Sequence, residues 1–81
     1  MKLTIIDIEK TVSFHVTWLE INTPVGNMTI LDNHVPTIIE LQPNHELIFE
    51  EINGEQKHFM IHQAIAHITR SEVKILIPAI A

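Results

Sequence analysis

Histidine is the residue type with the widest chemical reach in this chain: His15, His34, His45, His58, His62 and His67 are six of its 81 residues. Neutral imidazole binds zinc-like ions, and near neutral pH the ring also exchanges protons. A metal site needs the rings gathered. Along a strand His58 and His62 share a face but stand about 13 Å apart, too far for one ion with bonds near 2 Å. On a helix the same spacing makes them adjacent ligands, so the metal reading depends on a helix there. No His-x-His pair with a downstream acid occurs, which removes the ligand pattern of a small β-barrel metalloenzyme.

Other chemistries have less to work with. Ser13 and Ser71 are the only serines, and neither has the tight-turn setting of an activated nucleophile. Gly26 and Gly54 are the only glycines, so no glycine-rich loop can cradle a phosphate. Glu46, Glu50, Glu51 and Glu55 crowd one segment, as the solvated rim of a hairpin does, and do not read as an acid–base pair. The absence of cysteine removes disulfides, thiolate zinc sites, iron–sulfur ligation and thiol nucleophiles together, which fits a reducing compartment. The expectation is a binding protein and not an enzyme, with no catalytic residues, no cofactor and no bound metal.

Bulk properties narrow the partner. Ten acidic residues against five basic ones give a net charge of −5. Lys2, Lys10, Lys57, Arg70 and Lys74 are dispersed along the chain. A nucleic-acid backbone would meet net repulsion and no basic stripe, so nucleic acid is excluded as a partner. The opening "KLTIID" mixes polar residues into its apolar ones, and no later run reaches the length of a membrane span; neither a signal peptide nor direct membrane insertion is expected. Residues 1–81 are read as a single domain, small enough to bury only about 60% of its unfolded surface.

The elements that must position any site are short strands. Lys2 to Ile8 is β-rich and ends at the polar Glu9-Lys10. Val12, Phe14, Val16 and Trp18 recur at every second residue, the period of a strand with one buried face. After Trp18 the phase shifts to Leu19 and Ile21, which predicts one inserted residue at that point: a bulge, or a bend between two sheets. Asn22 to Asn27 is turn chemistry and Met28 to Leu31 is again extended. Pro43-Asn44 makes a further break, and Asn53-Gly54 predicts a hairpin in which Leu47, Phe49 and Ile52 face Phe59 and Ile61. From Ile61 to Ile68 the pattern fits a helix and a strand equally, since Ile61, Ala64, Ile65 and Ile68 match the amphipathic template. Val73, Ile75 and Ile77 form a last strand stopped by Pro78. Turns about every ten residues predict an all-β sandwich.

The most distinctive surface is the run "GNMTILDNHVPTII", where His34 sits in a polar turn behind Asp32 and Asn33 and ahead of Val35-Pro36. Pro36 holds Val35 extended. By its residues alone the turn reads equally as a contact surface and as a stiff connector whose Asp32 or Asn33 bonds the local backbone.

This run resembles the N-terminal domain of the epsilon subunit of F-type ATP synthases. That family shows a Gly, a Met or Leu two residues on, then Ile-Leu-Pro, any residue and His-Ala-Pro; Gly26, Met28, Ile30, Leu31, His34 and Pro36 stand at those places. The likeness continues through Leu41 and Pro43, the Asn53-Gly54 hairpin and Val73-Lys74-Ile75-Leu76, and so covers the whole chain. Asp32 replaces the family's proline, Val35 its alanine and Asn44 its glycine, while Gln63-Ala64 stands where Gly-Gly is common.

The resemblance implies a small β-sandwich of mostly antiparallel strands and makes the segment from Ile61 to Ile68 two strand pieces. It also implies a non-catalytic rotor subunit of the central stalk, joined to the gamma subunit and the c-ring, which couples proton transport to ATP synthesis. Its place would be peripheral, on the cytoplasmic face of the inner (plasma) membrane. Asn27 and Met28 resemble positions toward the c-ring, His34 and Ile39 positions toward gamma, and Asp32 adds a negative charge beside them. Many relatives carry a C-terminal helical hairpin; the sequence reaches only Ala81, so the likeness is expected to lie in the N-terminal domain alone and the hairpin's roles are not carried over. The alternative is a diverged stand-alone interaction module of the same fold, with a metal held through His58, His62 or His67. An exposed rotor face is also expected to allow self-association in the isolated chain.

Overall fold

The computed structural model describes residues 1–78, which form eight strands and no helix. They are β1 (Lys2–Ile6), β2 (Thr11–Thr23), β3 (Gly26–Leu31), β4 (Thr37–Glu40), β5 (His45–Glu51), β6 (Gln56–Ile61), β7 (Ile65–Ile68) and β8 (Glu72–Leu76). A first sheet runs β4-β7-β8-β1-β2 and a second β3-β2-β5-β6. Every pairing is antiparallel except β1 with β8. The two layers form the expected β-sandwich.

Strand alternation builds the core. Leu3, Ile5, Ala66, Ile68, Val73 and Ile75 from the first sheet meet Leu19, Ile21, Ile30, Leu47, Phe49 and Ile61 from the second, all buried in one cluster. The length of β2 makes this possible. Its first half, Thr11 to His15, pairs with β1, and its second half, from Trp18 on, pairs with β3. The strand therefore passes from one layer to the other, and one irregularity accompanies the passage.

That irregularity lies one residue earlier than the sequence pattern predicts. Val16 pairs with Glu51 and Trp18 with Glu50, which leaves Thr17 as the extra residue. Thr17 donates its hydroxyl to the Glu50 carboxylate at 2.8 Å, so Thr17, Trp18 and Glu50 share the outer face. Val16 and Leu19 point into the core and Trp18 points away from it. Both placements of the bulge bury Leu19 and Ile21, and period alone does not separate them.

Three other expectations are corrected, and the choice between helix and strand from Ile61 to Ile68 falls to strand, as the resemblance implies. β1 stops at Ile6, not Ile8, because the Asp7 carboxylate accepts the Glu9 and Lys10 N–H groups at 2.7 and 2.9 Å and turns the chain. Those bonds, with Lys10 first, hold the Asp7 carboxyl below its ordinary pKa. Ile52 is exposed in the β5–β6 loop and faces nothing in the core. In that loop the Gly54 N–H donates to the Glu51 carbonyl at 2.8 Å, with Gly54 at φ 89°. Ile61 to Ile68 is not helical: β6 ends, Ala64 is buried, and β7 pairs with β4 and β8. Ile65, which the helical template counts as core, faces outward, and Ala66 faces in. The last strand ends at Leu76, although the Ile77 N–H still donates to the Ile6 carbonyl at 2.8 Å.

Asn44 adopts φ 59°, the left-handed conformation that asparagine tolerates. Asn44→Gly is therefore expected to stay within a few tenths of a kcal/mol of the parent, while Asn44→Ala loses about 1 kcal/mol. Urea denaturation of the two variants checks this; equal midpoints would remove backbone conformation as the reason for asparagine.

Candidate functional site

The distinctive sequence run occupies one lateral side of the sandwich. Among the described residues β3 pairs only with β2 and is an edge of the second sheet, and β4 pairs only with β7 and is an edge of the first. Residues 32 to 36 cross between the two. The crossing is pinned: the Asn33 N–H donates to the Arg70 carbonyl at 2.9 Å, and the Arg70 guanidinium lies 3.4 Å from the Asn33 carbonyl oxygen. Asn33 takes φ 65°, which lets the chain reverse at this point.

His34 is half-buried, and its Nδ1 lies 2.7 Å from the Val35 carbonyl. Because a carbonyl only accepts, Nδ1 carries the proton and Nε2 is left as the acceptor of the neutral ring. The Thr37 hydroxyl donates to the same carbonyl at 2.9 Å, so the turn is stiff before any partner arrives.

The remaining sequence-selected residues lie along this side but do not converge. Asn27 is exposed and donates to the Asn22 amide oxygen at 3.3 Å. Met28 is half-buried against the core. Asp32 is exposed beyond the other end of β3. At 3.3 Å per residue Asn27 and Asp32 are about 16 Å apart, so one small ligand cannot touch both, whereas a protein surface can.

Ile39 is half-buried against the core, while its neighbour Ile38 is 72% exposed. The two isoleucines are consecutive, so the pleat must turn one in and one out, and nothing local says which. Ile38, Ile65 and Leu76 are exposed apolar residues near this edge that sequence reading did not single out. Glu40, Ile65, Leu76 and Ile6 share one outward row of the first sheet, with Ile38 and His67 in the next. The signal available in the sequence was the run of apolar residues on both phases of β4 and β8, with more of them than one buried face can use.

The histidines outside this edge are held singly. His58 Nδ1 lies 3.0 Å from a Glu46 carboxylate oxygen, His62 Nδ1 lies 3.0 Å from the Asn44 side-chain oxygen, and His45 Nδ1 lies 2.8 Å from the Pro43 carbonyl. The helix that would have joined His58 to His62 is absent, and among the described residues no group of three His, Asp or Glu side chains could hold a metal ion. What the edge offers is contact: a rigid turn, a short apolar strip and a few polar groups.

The Gln63-Ala64 departure also has a structural account. Among the described residues only Asn33, Asn44, Gly26 and Gly54 have positive φ, so neither Gln63 nor Ala64 needs glycine's conformational freedom. The Ala64 carbonyl accepts the Leu41 N–H at 3.0 Å, and its methyl group is buried. No helix of the described residues is long and apolar enough to cross a membrane.

Comparison with known proteins agrees with this architecture. Residues 1–81 match the family model described as "ATP synthase, Delta/Epsilon chain, beta-sandwich domain". Among curated proteins nothing matches significantly. Among solved structures, a chain of the Euglena gracilis mitochondrial ATP synthase, an assembly of OSCP, F1 and c-ring in rotational state 1, superposes with a TM-score of 0.82 at 25% identity. The match covers 93% of this chain and 48% of that one, so the present chain spans about half the length of its structural relative. The eight-stranded sandwich and the end-to-end family match lead to one conclusion: the chain belongs to the family of ATP synthase delta/epsilon-chain β-sandwich domains.

Proposed function

We propose that this protein is a central-stalk rotor subunit of an F-type ATP synthase, binding the gamma subunit and the c-ring so that proton transport is coupled to ATP synthesis. The observation that carries the reading is the family match across residues 1–81. The structural likeness to a chain of an F1 and c-ring assembly supports it. The subunit performs no chemistry; it transmits torque through contact and sits peripherally on the cytoplasmic face of the inner membrane.

In this reading Asn27 and Met28 meet the c-ring, with Asp32 offering a carboxylate to a cation of the loop it faces. His34 and the β4 strand meet gamma. Ile39 supports that contact from within, and the exposed Ile38 supplies apolar area at its surface. A stiff edge suits a rotor, because a joint that yields under load stores the torque it should pass on.

Titration calorimetry of the 81-residue chain into its cognate gamma subunit tests the proposal, with detergent-solubilised c-ring as the second titrant. One-to-one binding is expected, weakened at least tenfold by His34→Glu and by Ile38→Asp for gamma, and by Asn27→Lys for the c-ring. A folded chain that binds neither would overturn it.

A further inference from the structure

The outer face of the second sheet carries a pattern that the rotor edge does not use. The ladders place Leu31 beside Trp18, Trp18 beside Glu50, Glu20 beside Ile48, and Ile48 beside His58; Met60 lies beside Glu46. Since one face of a strand repeats every two residues, Leu31 and Trp18 share a row, Ile48 lies in the next, and Met60 in the one after. They make an apolar diagonal across β3, β2, β5 and β6. Leu31 is 58% exposed and Met60 54%, with Trp18 and Ile48 half-buried between them.

Carboxylates line both margins of this diagonal, Glu50 on one side and Glu20 and Glu46 on the other. No lysine or arginine stands on the face. Lys2 and Lys74 lie on the outer face of the first sheet, and Lys10 and Arg70 lie in turns. Lys57 is on the inner row, 3.1 Å from Glu51 and 5.2 Å from the Phe14 ring centroid. His58 Nδ1 lies 3.0 Å from a Glu46 carboxylate oxygen on this face. The chain's lysines and arginine are thus elsewhere, and the margins carry carboxylates without a lysine or arginine beside them.

We propose that this diagonal is a docking surface for an amphipathic α-helix of another polypeptide, one with an apolar ridge and lysines or arginines along both flanks. Charge complementarity selects that chemistry. A second copy would present the same carboxylates to these carboxylates, and nucleic acid would be repelled outright. The shape agrees: three strand spacings and two pleat repeats make a stripe about 20 Å long, the length of about 13 residues of helix. Trp18 lies near its middle, and tryptophan is the side chain most often found at the energetic centre of an interface. The inference does not rest on the rotor reading; the stripe begins at Leu31, beside the β3–β4 edge, and runs away from it.

Trp18 is the only tryptophan, so its emission reports on this face directly. The probe is a synthetic helical peptide of about 14 residues, with leucines on one face and lysines on both flanks. Two controls accompany it: the same residues in scrambled order, and the same order with every lysine replaced by glutamate. The expected result is a saturable blue shift of Trp18 emission with the basic helix that weakens with added salt. The scrambled peptide is expected to bind at least tenfold more weakly, and the acidic one not to saturate. Charge reversal by Glu20→Lys with Glu50→Lys, and separately Met60→Glu, should each weaken the basic helix at least tenfold while far-UV circular dichroism stays unchanged. Three outcomes would overturn the proposal: no saturable shift, equal responses to ordered and scrambled peptides, or a blue shift produced by raising the protein concentration alone, which would make the occupant a second copy.

Discussion

Phe49→Ala is expected to destabilise the protein by about 3–5 kcal/mol, the usual range for removing a buried aromatic ring and leaving a cavity. Phe49 is fully buried at the centre of the second sheet, paired with Leu19, and its ring centroid lies 4.8 Å from that of Phe14 with the planes tilted by 44°. Native stabilities of about 0.05–0.15 kcal/mol per residue leave a domain of this size little in reserve, so much of the variant should be unfolded at 37 °C. Trp18→Ala removes a larger side chain from the same sheet and is expected to lose only about 1 kcal/mol, because Trp18 is on the outer face. Urea denaturation followed by circular dichroism measures both. Equal losses would contradict the orientation of Trp18, and with it the docking stripe.

Deletion of Thr17 is the second change with a large expected effect. It removes the bulge residue, so Thr11 to Val16 must reverse their faces or give up their register with β1 and β5. Reversal turns Val16 out of the core, together with Val12 and Phe14 that pack against it. A fully buried side chain of this kind is worth about 1.5–3 kcal/mol and a half-buried one less, so the sum is comparable with the whole stability of a domain at about 0.05–0.15 kcal/mol per residue. The deletion variant is therefore expected not to fold. Thr17→Ala keeps the residue count, loses only the exposed hydrogen bond to Glu50, and should remain within about 1 kcal/mol of the parent. A deletion variant with an unchanged denaturation midpoint would mean that the two sheets need no bulge to share β2.

These two experiments bear on function because both candidate surfaces depend on β2. Among the described residues the edge strand β3 pairs only with the second half of β2, and the docking stripe crosses that half at Trp18. The rotor proposal asks the β3–β4 edge to be rigid, and its rigidity is traceable to named bonds: Asn33 to Arg70 across the sandwich, and His34 and Thr37 to one carbonyl. The stripe asks only that the sheet stay flat enough to receive a helix. The gamma titration and the peptide titration can therefore fail separately.

The sequence by itself determined the fold class and the turns, and its lack of cysteine removed thiol chemistry. Alternation in Val12 to Val16 and Val73 to Ile77, the Asn53-Gly54 hairpin and the Pro43-Asn44 break are local signals, each written within a few residues, and each has its counterpart in the structure. The run from Gly26 to Ile39 was likewise legible as strand, turn and extended chain. Tertiary structure decided what local pattern leaves degenerate. Whether the extra residue in β2 is Thr17 or lies after Trp18 depends on which partner strand each half joins. Whether Ile38 or Ile39 faces outward depends on the pairing of β4 with β7. Ile61 to Ile68 carries a helical period, yet its backbone is claimed by strands distant in sequence, and those hydrogen bonds outweigh a weak propensity. The docking stripe was out of reach for the same reason: Leu31, Trp18, Ile48 and Met60 come from four strands, and only the register of the second sheet sets them in a line.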